Sequence, residues 1–205
     1  MAKLIVVKVG GCLMSYPKEL REVAEVLAEL AHLTQLAIVP GGGKLAREVR
    51  GLQEAHRLSD ETAHWMAVLA QDQYGLMLAE LTGLPAAASL AELKAVGSAV
   101  LLPYRVLRAL DLVPHSWEAT GDSIAAAIAK ELSARKLILV KCIPLSKHIE
   151  APPSDLKSRG IVDSYFPTAA QSLKVAVASA LNPNTIREAM SSSYTSNGRE
   201  PLTPP

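Results

Sequence analysis

Apolar residues along this chain fall into two alternating kinds of run. Leu4 to Val9 is almost continuously apolar and rich in β-branched residues, interrupted only by Lys8. Such a run predicts a strand buried on both faces of a parallel sheet. It ends in Gly10-Gly11. After a short loop Pro17 can open a helix, where its missing N–H costs little. Val23, Val26, Leu27, Leu30 and Leu33 then recur at helical spacing, opposite Arg21, Glu22, Glu25 and Glu29. A second short strand, Leu36 to Val39, runs into Pro40-Gly41-Gly42-Gly43, and a helix is predicted from about Lys44 to Glu54.

The strand, glycine loop and helix thus occur twice before residue 55, and the alternation continues. A long helix is predicted from Asp60 to Leu81, a strand over Ala99 to Leu102 and a helix over Ser123 to Leu132. Leu137 to Lys141 reads as another buried strand, and Leu173 to Ala178 and Pro183 to Met190 close the pattern. Alternation of this kind specifies a parallel sheet with right-handed crossovers and helices on its faces. The expected fold is therefore α/β, a three-layer αβα sandwich with a mainly parallel central sheet, in one domain over residues 1–190. Pro144 to Gly160 reads as a loop. The Ser/Thr/Pro/Gly-rich stretch 191–205 reads as a disordered tail.

Composition narrows the function. A chain of 205 residues can bury roughly 70% of its unfolded surface and needs no disulfide or structural metal. The 21 basic and 20 acidic residues leave a net charge of +1, so there is no broad basic field for nucleic acid or an anionic membrane. Phosphate chemistry here must rest on a few local cations and backbone dipoles, which points to a small-molecule substrate. No apolar run approaches the roughly 18 residues of a membrane span, and the N-terminal run reaches Lys8 too soon for a signal sequence. Cys12 and Cys142 are far apart and outside any CxxC spacing; as isolated thiols they suit a reducing cytoplasm. No metal-ligand spacing occurs among the histidines and cysteines. Neither a P-loop nor a dinucleotide fingerprint is present.

Three places carry candidate chemistry. Lys8-Val9-Gly10-Gly11 puts a lysine near the C-terminal end of a strand, the end at which open α/β sheets bind ligands. A strand interior seldom holds a charge unless it is used or paired. Gly41-Gly42-Gly43 opens a helix and forms a second anion cradle, with Lys44 and Arg47 able to add charge. Two such loops at one sheet edge hold two phosphates face to face, as phosphoryl transfer requires. The third place is His115-Ser-Trp117-Glu-Ala-Thr120-Gly-Asp122-Ser123. Thr120, Asp122 or Ser123 can cap the helix that follows; alternatively, the Asp122 carboxylate aims Lys8 and Lys141 at a transferring phosphoryl group. His64 and Trp65, in the long helix, read as core or rim.

Taken together, these residues resemble the amino acid kinase superfamily, which includes acetylglutamate, uridylate, aspartate and isopentenyl phosphate kinases. The markers are Lys8-Val-Gly-Gly11, Val39-Pro-Gly-Gly-Gly43, Thr120-Gly-Asp122-Ser123 and the strand ending at Lys141. The segment His115 to Ser123 is similar to that of the small kinases of methanofuran biosynthesis, which phosphorylate an aminomethyl-furan-methyl phosphate to its diphosphate with ATP. The resemblance implies ATP and Mg2+ as cofactors, Lys8, Asp122 and Lys141 as catalytic residues, and Gly10, Gly11 and Lys141 as ligands of the ATP phosphates. It implies Gly41, Gly42, Gly43, Arg47, His115 and Trp117 as acceptor-binding residues, and a homo-oligomer. The chain departs from the family after the late strand, where Val140-Lys-Cys-Ile-Pro144 lacks the usual acidic residues and glycine, and where Cys12 replaces a serine. A non-catalytic ligand- or anion-binding protein on the same fold is the second reading.

Overall fold

A computed structural model gives the fold and describes residues 4–192. Strand β1 (Ile5–Val9) lies at the centre of a seven-stranded sheet, between β2 (Leu36–Pro40) and β5 (Lys136–Lys141). The remaining strands are β3 (Ala86–Ala87), β4 (Ala99–Leu101), β6 (Ile149–Glu150) and β7 (Val175–Ser179). Their order is β3-β4-β2-β1-β5-β7-β6, and every pairing is parallel except that of β6 with β7. β1, β2 and β7 are buried at every position, which is why their sequences do not alternate.

The side chains of β1 divide between two cores. Ile5, Val7 and Val9 pack with apolar residues of α1 (Pro17–Ala31), the C-terminal half of α3 (Asp60–Thr82) and α9 (Asn184–Ser191). Val6 packs on the other face with α6 (Gly121–Glu131) and α8 (Phe166–Ala169). Lys8, two residues from Val6, shares that second face by the period of a strand. Helix α2 (Gly43–His56) packs against α3 at the C-terminal edge of the sheet. This is the mainly parallel α/β sandwich expected from the alternation.

Several details depart from the pattern-based reading. α1 stops at Ala31, and Leu33 is 80% exposed rather than part of the buried stripe. The segment 144–160, read as loop, contains β6 and α7 (Pro153–Ser158). Helices α4 (Leu90–Val96) and α5 (Pro103–Leu110) were also not predicted. They are too short to show a period, and their positions are fixed by packing. Ser191 ends α9, and the carbonyl of Ser192 accepts from the Lys136 ammonium at 2.8 Å, so the first two residues of the expected tail belong to the fold. Residues 193–205 of that tail lie outside the described residues.

The two cysteines are not isolated thiols. Cys12 and Cys142 form a disulfide across 130 positions of sequence. The register explains it: Val9 pairs with Val140, so the chain leaves both strands at the same edge and brings residues 12 and 142 together. Without knowing that β1 and β5 are neighbours, the pairing cannot be read from spacing.

Candidate active site

The centre of the site is one buried carboxylate between two lysines. Asp122, in the first turn of α6, is ion-paired to Lys8 Nζ through Oδ1 at 3.0 Å and accepts a hydrogen bond from Lys141 Nζ at Oδ2, 2.6 Å. The three residues come from the C-terminal ends of β1 and β5 and the N-terminus of α6. Burial alone would raise the Asp122 pKa, but Lys8 and Lys141 outweigh it and hold the group below its usual range. Burial, with Lys8 as a like-charged neighbour, lowers the Lys141 pKa against the pull of Asp122. The cluster sets two lysines on one carboxylate, with the Asp163 charge also acting on Lys141 from beside the α6 N-terminus. Lysines sharing a carboxylate in this way keep N–H groups that suit a polyanionic ligand.

Asp122 thus lies between the two lysines, and Thr120 does not cap α6 with its side chain. The cap comes from elsewhere. Asp163 accepts from the backbone N–H groups of Thr120 and Ser123 at 3.0 and 3.1 Å, from the Thr120 hydroxyl at 2.8 Å, and from the Ser123 hydroxyl. An anion at a helix N-terminus also answers the helix dipole. Asp163 thereby fixes the turn that presents Asp122.

The two glycine loops meet in front of this cluster. A Cβ on Gly11 would sit 2.2 Å from the Gly43 nitrogen, and Gly43 has φ +54°, so neither position admits a side chain. A Cβ on Gly121 would lie 3.4 Å from both Gly41 Cα and Lys8 Cε, which brings α6 into the same junction. The loops do not contribute equally. The Gly10 N–H is donated to Val140 O and the Gly41 N–H to Val9 O, both at 2.9 Å. Those two N–H groups are engaged in extending the sheet, while Gly11, Gly42 and Gly43 line the open space.

That space is a cavity of about 300 Å3 bounded by the glycine loops, α2, α3 and the segment before α6. Lys8 is at one wall, and Arg47 and Trp117 also line it. Trp117 donates its indole N–H to Gln53 Oε1 at 2.5 Å and carries the Arg50 guanidinium 4.4 Å above its ring. His115 stands one layer out. It stacks on His64 at 4.4 Å and bonds Asp111 through Nε2 at 2.8 Å, and His64 takes the place at the cavity wall. Burial lowers the His64 pKa to about 4, with His115 adding to the effect, so His64 is neutral at pH 7. His64, Arg50, Asp60 and Gln71 were all missed in the sequence. The signal available was the spacing 60, 64, 67, 68, 71, a single face of α3.

The family's profile for amino acid kinases matches residues 3–144, most of the chain. The chain belongs to the amino acid kinase family. It is a kinase of that family, and it is 28% identical over 182 residues to the [5-(aminomethyl)furan-3-yl]methyl phosphate kinase of Methanocaldococcus jannaschii. That alignment covers 83% of this chain and 84% of the relative. The fold is similar to uridylate kinase from Archaeoglobus fulgidus (TM-score 0.68, 21% identity, 91% of this chain and 94% of that one). It is also similar to UMP kinase from Ureaplasma parvum (TM-score 0.66, 18% identity, 93% and 95%). Among the described residues, no helix is long and apolar enough to cross a membrane.

Proposed function

We propose that this kinase transfers the γ-phosphoryl group of ATP to a small phosphate monoester, and that the acceptor is [5-(aminomethyl)furan-3-yl]methyl phosphate, which becomes the diphosphate. The observation that carries the reading is the Lys8–Asp122–Lys141 cluster at the junction of two glycine loops, with Lys8 reaching the cavity wall and Asp122 and Lys141 set behind it. The relative from M. jannaschii supplies the acceptor. The cavity suits it: cationic near Lys8 and Arg47, apolar along Ala46, Ala67, Val68 and Ile124, and edged by an indole.

In the proposed reaction an oxygen of the acceptor phosphate attacks the γ-phosphorus as the bond to the β–γ bridging oxygen breaks, and ADP leaves. Lys8 and Lys141 neutralise charge on the transferring group, with Asp122 fixing their positions. Gly11 and Lys141 face the donor phosphates, and Gly42, Gly43 and Arg47 hold the acceptor phosphate. No group of three acidic, histidine or cysteine side chains suited to a metal occurs among the described residues, and Asp122 is committed to the lysines. Mg2+ would therefore arrive on the phosphates of ATP, as this ion commonly does, and would supply further charge neutralisation.

Leu69, Leu76 and Met77 are exposed apolar residues of α3, and they support the expectation of a homo-oligomer; light scattering of the purified protein tests it. The need for ATP supports a cytoplasmic location. There the Cys12–Cys142 bond stands against a reducing thiol pool. The deciding experiment is ADP release from Mg·ATP with the furan phosphate as acceptor. Acceptor-dependent turnover that Lys8→Ala lowers at least a hundredfold is expected (roughly the loss of a transition-state charge contact). Lys8-independent turnover would overturn the assignment.

A further inference from the structure

One face of α3 forms a wall of the cavity from end to end. Asp60, His64, Ala67, Val68 and Gln71 all line it. Eleven residues of helix rise separate the Cα atoms of Asp60 and Gln71 by about 16 Å, so this stripe spans a small acceptor. Its two ends differ in chemistry, and its middle is apolar.

At the inner end, Gln71 is 3% exposed, and its buried Oε1 has no hydrogen-bond partner among the described residues. An unpartnered buried amide is destabilising. Its place in the fold is beside the glycine junction: ideal Cβ positions on Gly42 and Gly121 fall 3.8 Å from Gln71 Cγ and Oε1 respectively. A half-turn of the amide presents either an acceptor or two N–H donors to that junction.

At the outer end stands Asp60, the one carboxylate among the lining side chains. Oδ1 accepts from Gln53 Nε2 at 2.8 Å, and no cation among the described residues pairs with Asp60. Arg50, the nearby candidate, lies over Trp117 instead. His64, one turn along, is neutral and adds no opposing charge.

We infer that α3 reads the acceptor at both ends, Gln71 through the phosphate held at the glycine junction and Asp60 through a cationic amine, so that the site selects amine-bearing phosphate monoesters. This deepens the proposed function and rests on its placement of the acceptor. The apolar stretch between the ends takes the flat ring.

The test measures both binding and turnover with two probes. One is [5-(aminomethyl)furan-3-yl]methyl phosphate; the other is the same phosphate with methyl in place of the aminomethyl group. Titration calorimetry of the native protein is expected to show at least tenfold weaker binding of the methyl probe. Asp60→Asn is expected to remove that difference by weakening only the amine-bearing probe, and Asp60→Glu to restore part of it. Gln71→Leu is expected to weaken both probes alike. Equal binding of the two probes by the native protein, or an equal effect of Asp60→Asn on both, overturns the inference even if both are phosphorylated. Discriminating binding without turnover leaves the inference standing and removes the kinase substrate instead. No binding of either probe removes both.

Discussion

The strand β5 carries a buried lysine at its start and a half-buried one at its end, and the two are paired in opposite ways. At its start, Lys136 is met by four oxygens: Glu150 Oε1 and Ala189 O at 2.9 Å, and Ser192 O and Oγ at 2.8 Å. At its end, Lys141 has Asp122 as its one partner among the described residues, and Asp122 is shared with Lys8. Burial alone would raise the Glu150 pKa, but Ser192 and Lys136, with His148 3.9 Å away, outweigh it and hold the group below its usual range, so in the first cluster the Lys136 ammonium is fully met by oxygens. The second has two lysines on one carboxylate, with Asp163 acting on Lys141 only from further off, and Asp122 Oδ1 faces Lys8 without the alignment of a hydrogen bond. A closed cluster ties β6 and the end of α9 to the sheet. An open one keeps N–H groups for a ligand. Burial of charge is common to both, and the count of partners tells them apart.

The contrast breaks most visibly by exchanging losses. Lys8→Met should lower turnover by a hundredfold or more (the scale of one transition-state charge contact) and leave the urea midpoint nearly unchanged, because Asp122 keeps Lys141. Lys136→Met should do the reverse. Removing one partner of a buried pair costs about 3–5 kcal/mol, and the protein that remains folded should turn over normally. Parallel urea titrations and steady-state assays read both. A Lys136 variant that lost turnover while keeping its stability would show the two ends of β5 to be coupled. Asp122→Asn belongs to both classes, since it strands two buried ammonium groups and disorders the transfer site.

Much of the open cluster was legible before the fold was known. Lys8 and Lys141 interrupt or end apolar strands, and the glycine runs mark where the backbone must come close. Asp122 was legible only as one of two readings, cap or carboxylate between lysines, because the helix it begins needed a cap. In the structure the cap comes from Asp163, 43 positions from Thr120 and dependent wholly on tertiary placement, while Asp122 pairs with the lysines. The closed cluster left no trace in sequence: Lys136 looked like the polar residue before a strand, and Ser192 like the start of a tail. His64, Asp60 and Gln71 share a helical face, but periodicity does not say whether a neighbour or a cavity lies opposite it. The disulfide was hidden for the same reason, since strand order is a property of the sheet.

That disulfide offers a smaller effect on the same comparison. It ties the residue after Gly11 to the residue after Lys141, so it braces the open cluster and not the closed one. Reduction should lower stability by about 2–4 kcal/mol, the usual range for a native bond. Urea unfolding with and without dithiothreitol measures it, and Cys12→Ser should match the reduced protein. The effect of reduction on turnover should exceed its effect on a Lys136-dependent observable such as protection of the Ser192 region from proteolysis. Equal effects on both would mean that the bond acts on the whole fold.

The smallest effect separates two groups of α3 that respond to acid in opposite directions. Asp72 accepts the Tyr104 N–H at 3.0 Å near the start of α5, and burial raises its pKa to about 6 despite that bond. A carboxyl whose pKa is higher folded than unfolded contributes stability that is complete below its usual value and is lost as pH rises through about 6. His64 runs the other way. With its pKa lowered to about 4, its contribution is complete above the usual histidine range and is lost as pH falls towards 4. Between pH 7 and 5 the two slopes oppose, and the native protein should change little on their account. Asp72→Asn keeps an acceptor for Tyr104 and removes one slope. It should be more stable than the native protein at pH 7, by on the order of 1 kcal/mol, and should lose stability more steeply on acidification. Urea midpoints at pH 7 and 5 decide it. An Asp72→Asn variant whose pH dependence matched the native protein would show that Asp72 is ionised throughout, and that α3 meets acid through His64 alone.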